Sequence, residues 1–211
     1  FCLNMFDVIR IDHFRGLESF WSVPAGEKTA INGEWWPAKG YELLQMLKAQ
    51  LGYLPVIAED LGVITPEVEK LRDDFNLRGM KVLQFGFASD ATNEHLPHNY
   101  GKNFVVYTGT HDNNTTLGWL KSAEKKERRN LQKYFKRNRR RALDEVIEAC
   151  WGSVAEIAIM PMQDLLRLDA KGRMNVPGVA SGNWEWRFRW RQLRNSRRRF
   201  LKEITQKYNR G

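Results

Sequence analysis

Two cysteines among 211 residues, Cys2 and Cys150, cannot build a disulfide framework, and neither stands at metal-ligand spacing from suitable partners. A reducing, cytoplasmic setting is the corresponding expectation. No run of the chain approaches the roughly 18 to 20 apolar residues needed to span a bilayer, so no membrane partner is expected. The opening Phe1-Cys2-Leu3-Asn4 also lacks the charged and apolar regions of a signal peptide. There is no acidic Ca²⁺ loop and no glycine-rich phosphate cradle, and His95 and His98 have no metal-ligand partners at useful spacing. Neither a cofactor nor a metal is expected. Apolar material, by contrast, is ample: 42% of residues are hydrophobic and 8 Trp, 6 Tyr and 11 Phe are present, enough for a sizeable core and too much for a disordered chain.

The formal charge of +9 is unevenly distributed. Segment 121–141 carries 11 Lys/Arg against Glu124 and Glu127, and segment 187–211 carries 10 against Glu203, so the remainder of the chain is acidic. Such asymmetry is compatible with a polyanion-binding face. The simpler reading, and the one adopted, is that both stretches are helical and solvated, with the stems of Arg187–Arg199 packed beside Trp186, Phe188 and Trp190 and no nucleic-acid partner.

Apolar, β-branched runs alternate with helical patterns along the chain, which predicts βα units and a parallel sheet. Five strands are expected, at Val8–Ile11, Pro55–Ala58, Met80–Phe85, Asn103–Thr108 and Val154–Ile159. Helices are expected over Tyr41–Leu51, over Pro66–Phe75 with Pro66 in its first turn, and over 122–136 and 139–150; 170–186 reads as loop. Strand ends near 12, 59, 86, 112 and 162 are spaced close to the roughly 31 residues per unit of a (β/α)8 barrel with two decorated connections. A doubly wound sheet should open on a phosphate-binding turn, and none is present. The fold class read from the sequence is therefore α/β, a (β/α)8 TIM barrel.

Acids cluster where these strands stop. Asp12 follows the first, Glu59 and Asp60 the second, and His111-Asp112 the fourth. In a parallel barrel all strand C-termini open on one face, where two carboxyl groups can serve glycosidic-bond chemistry, one attacking the anomeric carbon and one protonating the leaving oxygen. Strand periodicity sets Arg10 on the same side as Asp12, and a guanidinium there favours the ionised nucleophile. Glu59 leaves an apolar strand beside Asp60; desolvation and a like charge both raise a carboxyl pKa, as suits a proton donor. Trp35 and Trp36 admit a sugar-stacking role as well as loop packing.

Three segments, Arg10-Ile11-Asp12-His13-Phe14-Arg15-Gly16, Ile57-Ala58-Glu59-Asp60-Leu61-Gly62 and Gly109-Thr110-His111-Asp112-Asn113-Asn114-Thr115, resemble the catalytic motifs of the 4-α-glucanotransferases, glycoside hydrolase family 77. The resemblance continues through Asn93–Tyr100, Gly172–Gly178 and Gly182–Arg187; one departure is Trp36-Pro37-Ala38-Lys39-Gly40, where the family commonly has Pro-Gly. It implies Asp12 as nucleophile, Glu59 as acid/base and Asp112 as the third carboxylate, with Arg10, His13, Asp60, His111 and Asn183 binding substrate. The implied reaction is transfer of α-1,4-glucan segments between malto-oligosaccharides, in cytoplasm or, for a plant protein, plastid. The alternatives left open are an α-glucan hydrolase and a non-catalytic piece binding glucan or polyanion. The resemblance further implies that 1–211 is the C-terminal part of one catalytic barrel, its last five βα units, with no second domain; without the N-terminal half of that barrel the piece is expected to be inactive.

Overall fold

The computed structural model describes residues 1–135 and 142–211, which form two compact units, Phe1–Met80 and Lys81–Gly211. In the first unit, β1 (Ile9–Ile11) pairs in parallel with a later strand, Val56–Ala58, in the register Ile9 to Val56, Arg10 to Ile57 and Ile11 to Ala58. Between them the chain makes an antiparallel hairpin, β2 (Ser19–Ser22) with β3 (Glu34–Pro37), and then helix α1 (Gly40–Leu51); the strand Val56–Ala58 is thus β4. The hairpin is held by opposed aromatic pairs, Phe20 with Trp36 and Trp21 with Trp35, the second pair meeting edge to face at 5.4 Å. Gly40 is required where α1 begins, because a Cβ there would lie 2.1 Å from the carbonyl oxygen of Leu17. That contact accounts for glycine at the end of the divergent Trp36–Gly40 segment.

Helix α2 (Pro66–Asp74) has Pro66 at its start, Glu67 and Glu69 in its first turn and Arg72 in its last, all matched to the helix dipole. It packs Val68 and Leu71 with Phe14, Leu44, Val56, Ala58, Phe75 and Leu77 into one core cluster. An isolated parallel bridge joins Ile57 to Arg78, just before β5 (Gly79–Val82), the strand within which the chain leaves the first unit.

The sheet of the second unit has the order β5, β6 (Phe104–Tyr107), β7 (Ile157–Ile159), with Val105 opposite Ile157 in parallel. Helices α3 (Thr116–Ser122), α4 (Lys125–Phe135) and α5 (Ala142–Trp151) lie between β6 and β7 in sequence, a short α6 (Met162–Leu165) follows, and α7 (Asn195–Lys207) ends the chain. The main core is formed by Val106 of β6, by Leu143, Val146, Ile147 and Cys150 of α5 and by Ile204 of α7, against Leu83 and Phe87.

All five expected strands are present, each shorter than its apolar run. The third stops at Val82 because the chain turns there into a 3-10 segment, Leu83–Phe87, whose Gly86 sits so close to the His95 carbonyl that a Cβ would be 2.7 Å from it. The fifth begins only at Ile157. The expected helix 122–136 is α4, which begins at Lys125, and α3 before it was not expected; the part of the expected helices that falls on 136–141 lies outside the described residues. Trp35 and Trp36 belong to a strand, not to a loop. Among the described residues no helix is long and apolar enough to cross a membrane.

Phe14 is fully buried in the first core. Phe14→Ala is expected to destabilise the chain by about 3–5 kcal/mol, from lost burial and the cavity left behind, seen as a lower urea midpoint at unchanged slope. A loss below about 1 kcal/mol would mean that this cluster is not the core it is described as.

Candidate active site

The parallel ladder runs beyond the formal strand ends. Glu59 donates its backbone N–H to the Ile11 carbonyl at 3.0 Å, and the chain after β1 returns the contact twice. The His13 N–H donates to Glu59 Oε2 at 2.7 Å, and the Phe14 N–H donates to the Glu59 carbonyl at 3.0 Å. For two successive amides to reach one residue, the backbone must turn sharply at His13, which takes left-handed φ of 48°. Its imidazole is left exposed at the end of β1.

Arg10 Nη2 donates to Asp12 Oδ1 at 2.7 Å, as strand alternation requires, and the Asp12 side chain is 79% exposed. Glu59 is different. Partial burial lifts its pKa above the ordinary 4.5; the His13 N–H pulls it back, the Asp12 charge lifts it again, and Arg10 and the His13 side chain oppose that. The strand end thus presents one solvated carboxylate with a guanidinium partner beside one half-buried carboxyl that holds its proton longer. This is the division of labour that a nucleophile and a proton donor need.

Asp60 does not supply the like charge expected for Glu59. Its side chain is only 2% exposed and turned inward, where Oδ2 accepts from Arg72 Nη1 at 2.5 Å and Oδ1 accepts from the Met80 N–H at 2.7 Å. With both oxygens engaged, Asp60 braces the strand end against α2 and β5 rather than offering an acceptor to a sugar. A buried carboxylate requires such partners.

In the second unit the loop after β6 is closed at its base by a buried acid that sequence reading missed. Asp164 Oδ2 accepts from the Thr108 and Thr116 hydroxyls, each at 2.6 Å, and Oδ1 accepts from the Thr116 N–H at 2.7 Å. Thr108 directly follows β6 and Thr116 starts α3, so one carboxylate clamps both ends of the loop carrying His111 and Asp112. Gln84 adds a hydrogen bond to the Asn114 carbonyl at 3.0 Å, and Asn113 Oδ1 accepts from the N–H and hydroxyl of Thr110, each at 2.8 Å.

Asp112 Oδ1 accepts from Asn175 Nδ2 at 2.5 Å, its Oδ2 lies 3.3 Å from His111 Nε2, and its carbonyl accepts from Arg173. The Trp184 ring leans on His111 with centroids 5.0 Å apart. Asn175 and Arg173 stand in a segment singled out in the sequence, but nothing in their spacing reveals that they turn back on Asp112. Asn183, expected to bind substrate, has its amide engaged with the backbone of its own loop. Its Oδ1 accepts from the Val176 N–H at 2.9 Å and its Nδ2 donates to the Val179 carbonyl at 2.8 Å, so its amide shapes the loop 176–183. Among the described residues no group of three His, Cys, Asp or Glu is placed to hold a metal ion.

The family model described as 4-alpha-glucanotransferase matches residues 1–193. The 4-alpha-glucanotransferase of Synechocystis sp. is 51% identical over 211 residues, covering 99% of this chain and 42% of that protein. The chloroplastic/amyloplastic 4-alpha-glucanotransferase of Solanum tuberosum is 49% identical over 185 residues, covering 87% of this chain and 32% of that protein. Among solved structures, amylomaltase from Streptococcus agalactiae in complex with acarbose matches with a TM-score of 0.94 and 40% identity, over 99% of this chain and 43% of that one. The chain therefore spans less than half the length of these relatives.

The pKa of Glu59 is open to direct test by carboxyl carbon-13 NMR. It should titrate above 4.5, Asp12→Asn should lower it by removing a like charge, and Arg10→Gln should raise it further. Because the folded-state value is raised, the associated stability is full at low pH and is lost as pH rises through it. A Glu59 pKa unmoved or raised by Asp12→Asn would break the pairing.

Proposed function

Because the chain belongs to the 4-alpha-glucanotransferase family, we propose that it carries the machinery for moving α-1,4-glucan segments between malto-oligosaccharides by retaining double displacement. We read both units as belonging to one catalytic (β/α)8 barrel, of which residues 1–211 supply the last five βα units. The observation that carries the reading is the asymmetric acid pair at the ends of β1 and β4, with Arg10 on Asp12 at 2.7 Å and Glu59 raised by burial and by Asp12.

In the first step Asp12 attacks the anomeric carbon as the glycosidic bond breaks, and Glu59 gives its proton to the departing oxygen. Departure leaves a glucosyl ester on Asp12 and an ionised Glu59. In the second step Glu59 takes the proton from an acceptor sugar hydroxyl, that oxygen bonds to the anomeric carbon, and the ester to Asp12 breaks. Two inversions give net retention. The raised pKa of Glu59 favours the first step and its contact with the His13 N–H favours the ionised form needed for the second.

For Asp112 we propose the role that the family likeness implies, acceptance of hydrogen bonds from sugar hydroxyls that strengthen in the transition state. Asn175 and His111 hold its carboxylate for that purpose. Arg10 holds the Asp12 carboxylate by its hydrogen bond at 2.7 Å, and the exposed imidazole of His13 is a sugar contact. Asp60, with Arg72, acts through the strand end and not on the sugar.

The test uses a polypeptide of the relatives' length that contains residues 1–211. Glu59→Gln offered α-glucosyl fluoride, whose leaving group needs little protonation, should accumulate a glucosyl ester on Asp12, visible by mass spectrometry of the peptide containing Ile11-Asp12-His13. Asp12→Asn should form no adduct and lose more rate on maltotriose than the about 10²–10⁴-fold that general acid catalysis supplies. An adduct on Glu59, or a product of inverted anomeric configuration, would refute the assignment.

A further inference from the structure

The glucan reading makes no use of the basic stretch over 187–211. Helix α7 begins against the electrostatic preference of a helix N-terminus. Arg194 is its N-cap, no side chain caps it, its first turn contains no acid, and Arg197, Arg198 and Arg199 follow at once. Backbone amides concentrate positive potential at that end, which favours anions and disfavours further cations. A local rule broken this consistently marks a functional site more often than a fold requirement.

Beside this helix start lies a cleft of about 620 Å³, within the size range of small-molecule sites, lined by Arg167, Arg191, Arg194 and Arg197 with Gln192 and Ser196. Two of these arginines are fixed. Asp144 pairs with Arg167 at 2.8 Å and with Arg197 at 2.9 Å. Arg197 also donates from Nε to the Leu165 carbonyl at 2.9 Å and lies 4.3 Å over the Phe200 ring. The backbone of Arg167 is left-handed, with φ of 60°. Among the described residues no carboxylate pairs with Arg191 or Arg194. One acid against four guanidiniums leaves surplus positive charge in a concave site, whereas a merely solvated basic face spreads its cations apart.

We propose that this cleft binds a small phosphorylated metabolite, its phosphomonoester dianion seated at the N-terminus of α7 between Arg191 and Arg194 and its organic part against Leu166 and Leu168, which complete the wall. The planar fork of arginine matches phosphate oxygens two at a time, and the first free amides of α7 add donors along the same direction. A single cleft, two of whose four arginines are already paired to Asp144, suits a small ligand better than an extended polyanion, which needs many phosphate contacts repeated along a surface. The site is independent of the carboxylates of the glucan reading and lies wholly within the second unit.

Titration calorimetry on the full 211-residue chain at physiological salt tests it, with glucose 1-phosphate, inorganic phosphate, glucose and a short DNA duplex as probes. The expected result is saturable one-to-one binding of glucose 1-phosphate, weaker binding of inorganic phosphate and none of glucose. Arg191→Gln with Arg194→Gln should weaken the ester by at least about tenfold, the scale of losing one charge-assisted hydrogen bond. Arg198→Gln, on the same helix but outside the cleft, should leave it unchanged. Thermal melting without ligand checks that the double variant folds; if it does not, each single variant should show a smaller loss in the same direction. Absence of binding, binding indifferent to both arginines, or inorganic phosphate binding as tightly as the ester would overturn the proposal. A duplex that displaces the ester at physiological salt through the same arginines would also overturn it, in favour of nucleic acid.

Discussion

The register that sets Arg10 opposite Ile57 decides which side chains can meet at the ends of β1 and β4. A strand pair slipped by one residue turns every side chain to the other face. Here the slip would separate Arg10 and Asp12 from Glu59 and remove the acceptor for the His13 amide. Three residues of pairing are a short ladder, and they are reinforced beyond it. The contacts from Glu59 to Ile11 and from His13 and Phe14 to Glu59 extend the pairing through the catalytic candidates themselves. Fold and chemistry are therefore one hydrogen-bond network, and the half-burial that raises the Glu59 pKa follows from the same pairing.

The two units use a common device in different chemistry. Each holds a strand-end loop with a buried aspartate: Asp60 through Arg72 and the Met80 amide, Asp164 through Thr108 and Thr116. In the first the buried charge is neutralised by a guanidinium. In the second it is met only by dipoles in the contacts just described, and burial raises its pKa against the pull of the two threonines. An aspartate is short enough to grip backbone and hydroxyl donors at a sharp bend without adding its own flexibility, which places the catalytic candidates beside the buried anchors in sequence or space rather than on them.

Much of this was legible because period-two alternation and helix-start chemistry are local. Arg10 beside Asp12, the Pro66 start of α2 and all five strands follow from residues within a few positions of one another. What failed was non-local. Asp60 follows Glu59 directly, yet its carboxylate faces Arg72, twelve positions on, and the like charge felt by Glu59 comes from Asp12 on another strand. The amide of Asn183 braces its own loop, and Asn175, which holds Asp112, looked like ordinary loop. The hairpin of β2 and β3 escaped notice because its aromatic residues alternate on neither a clearly apolar nor a clearly polar face: Phe20, Trp21, Trp35 and Trp36 all remain substantially exposed.

The left-handed backbone at His13 restricts that position's residue alphabet. Glycine, asparagine, aspartate and histidine tolerate such a φ best, and a β-branched or bulky residue there is strained. Of the tolerant set, glycine surrenders the side chain, and aspartate adds a negative charge next to the Asp12 carboxylate. Histidine and asparagine remain, and only histidine brings a ring. Variation at this position is thus filtered twice, first by the turn that delivers two amides to Glu59 and then by the charge of its neighbour, so sequence drift has almost nowhere to go.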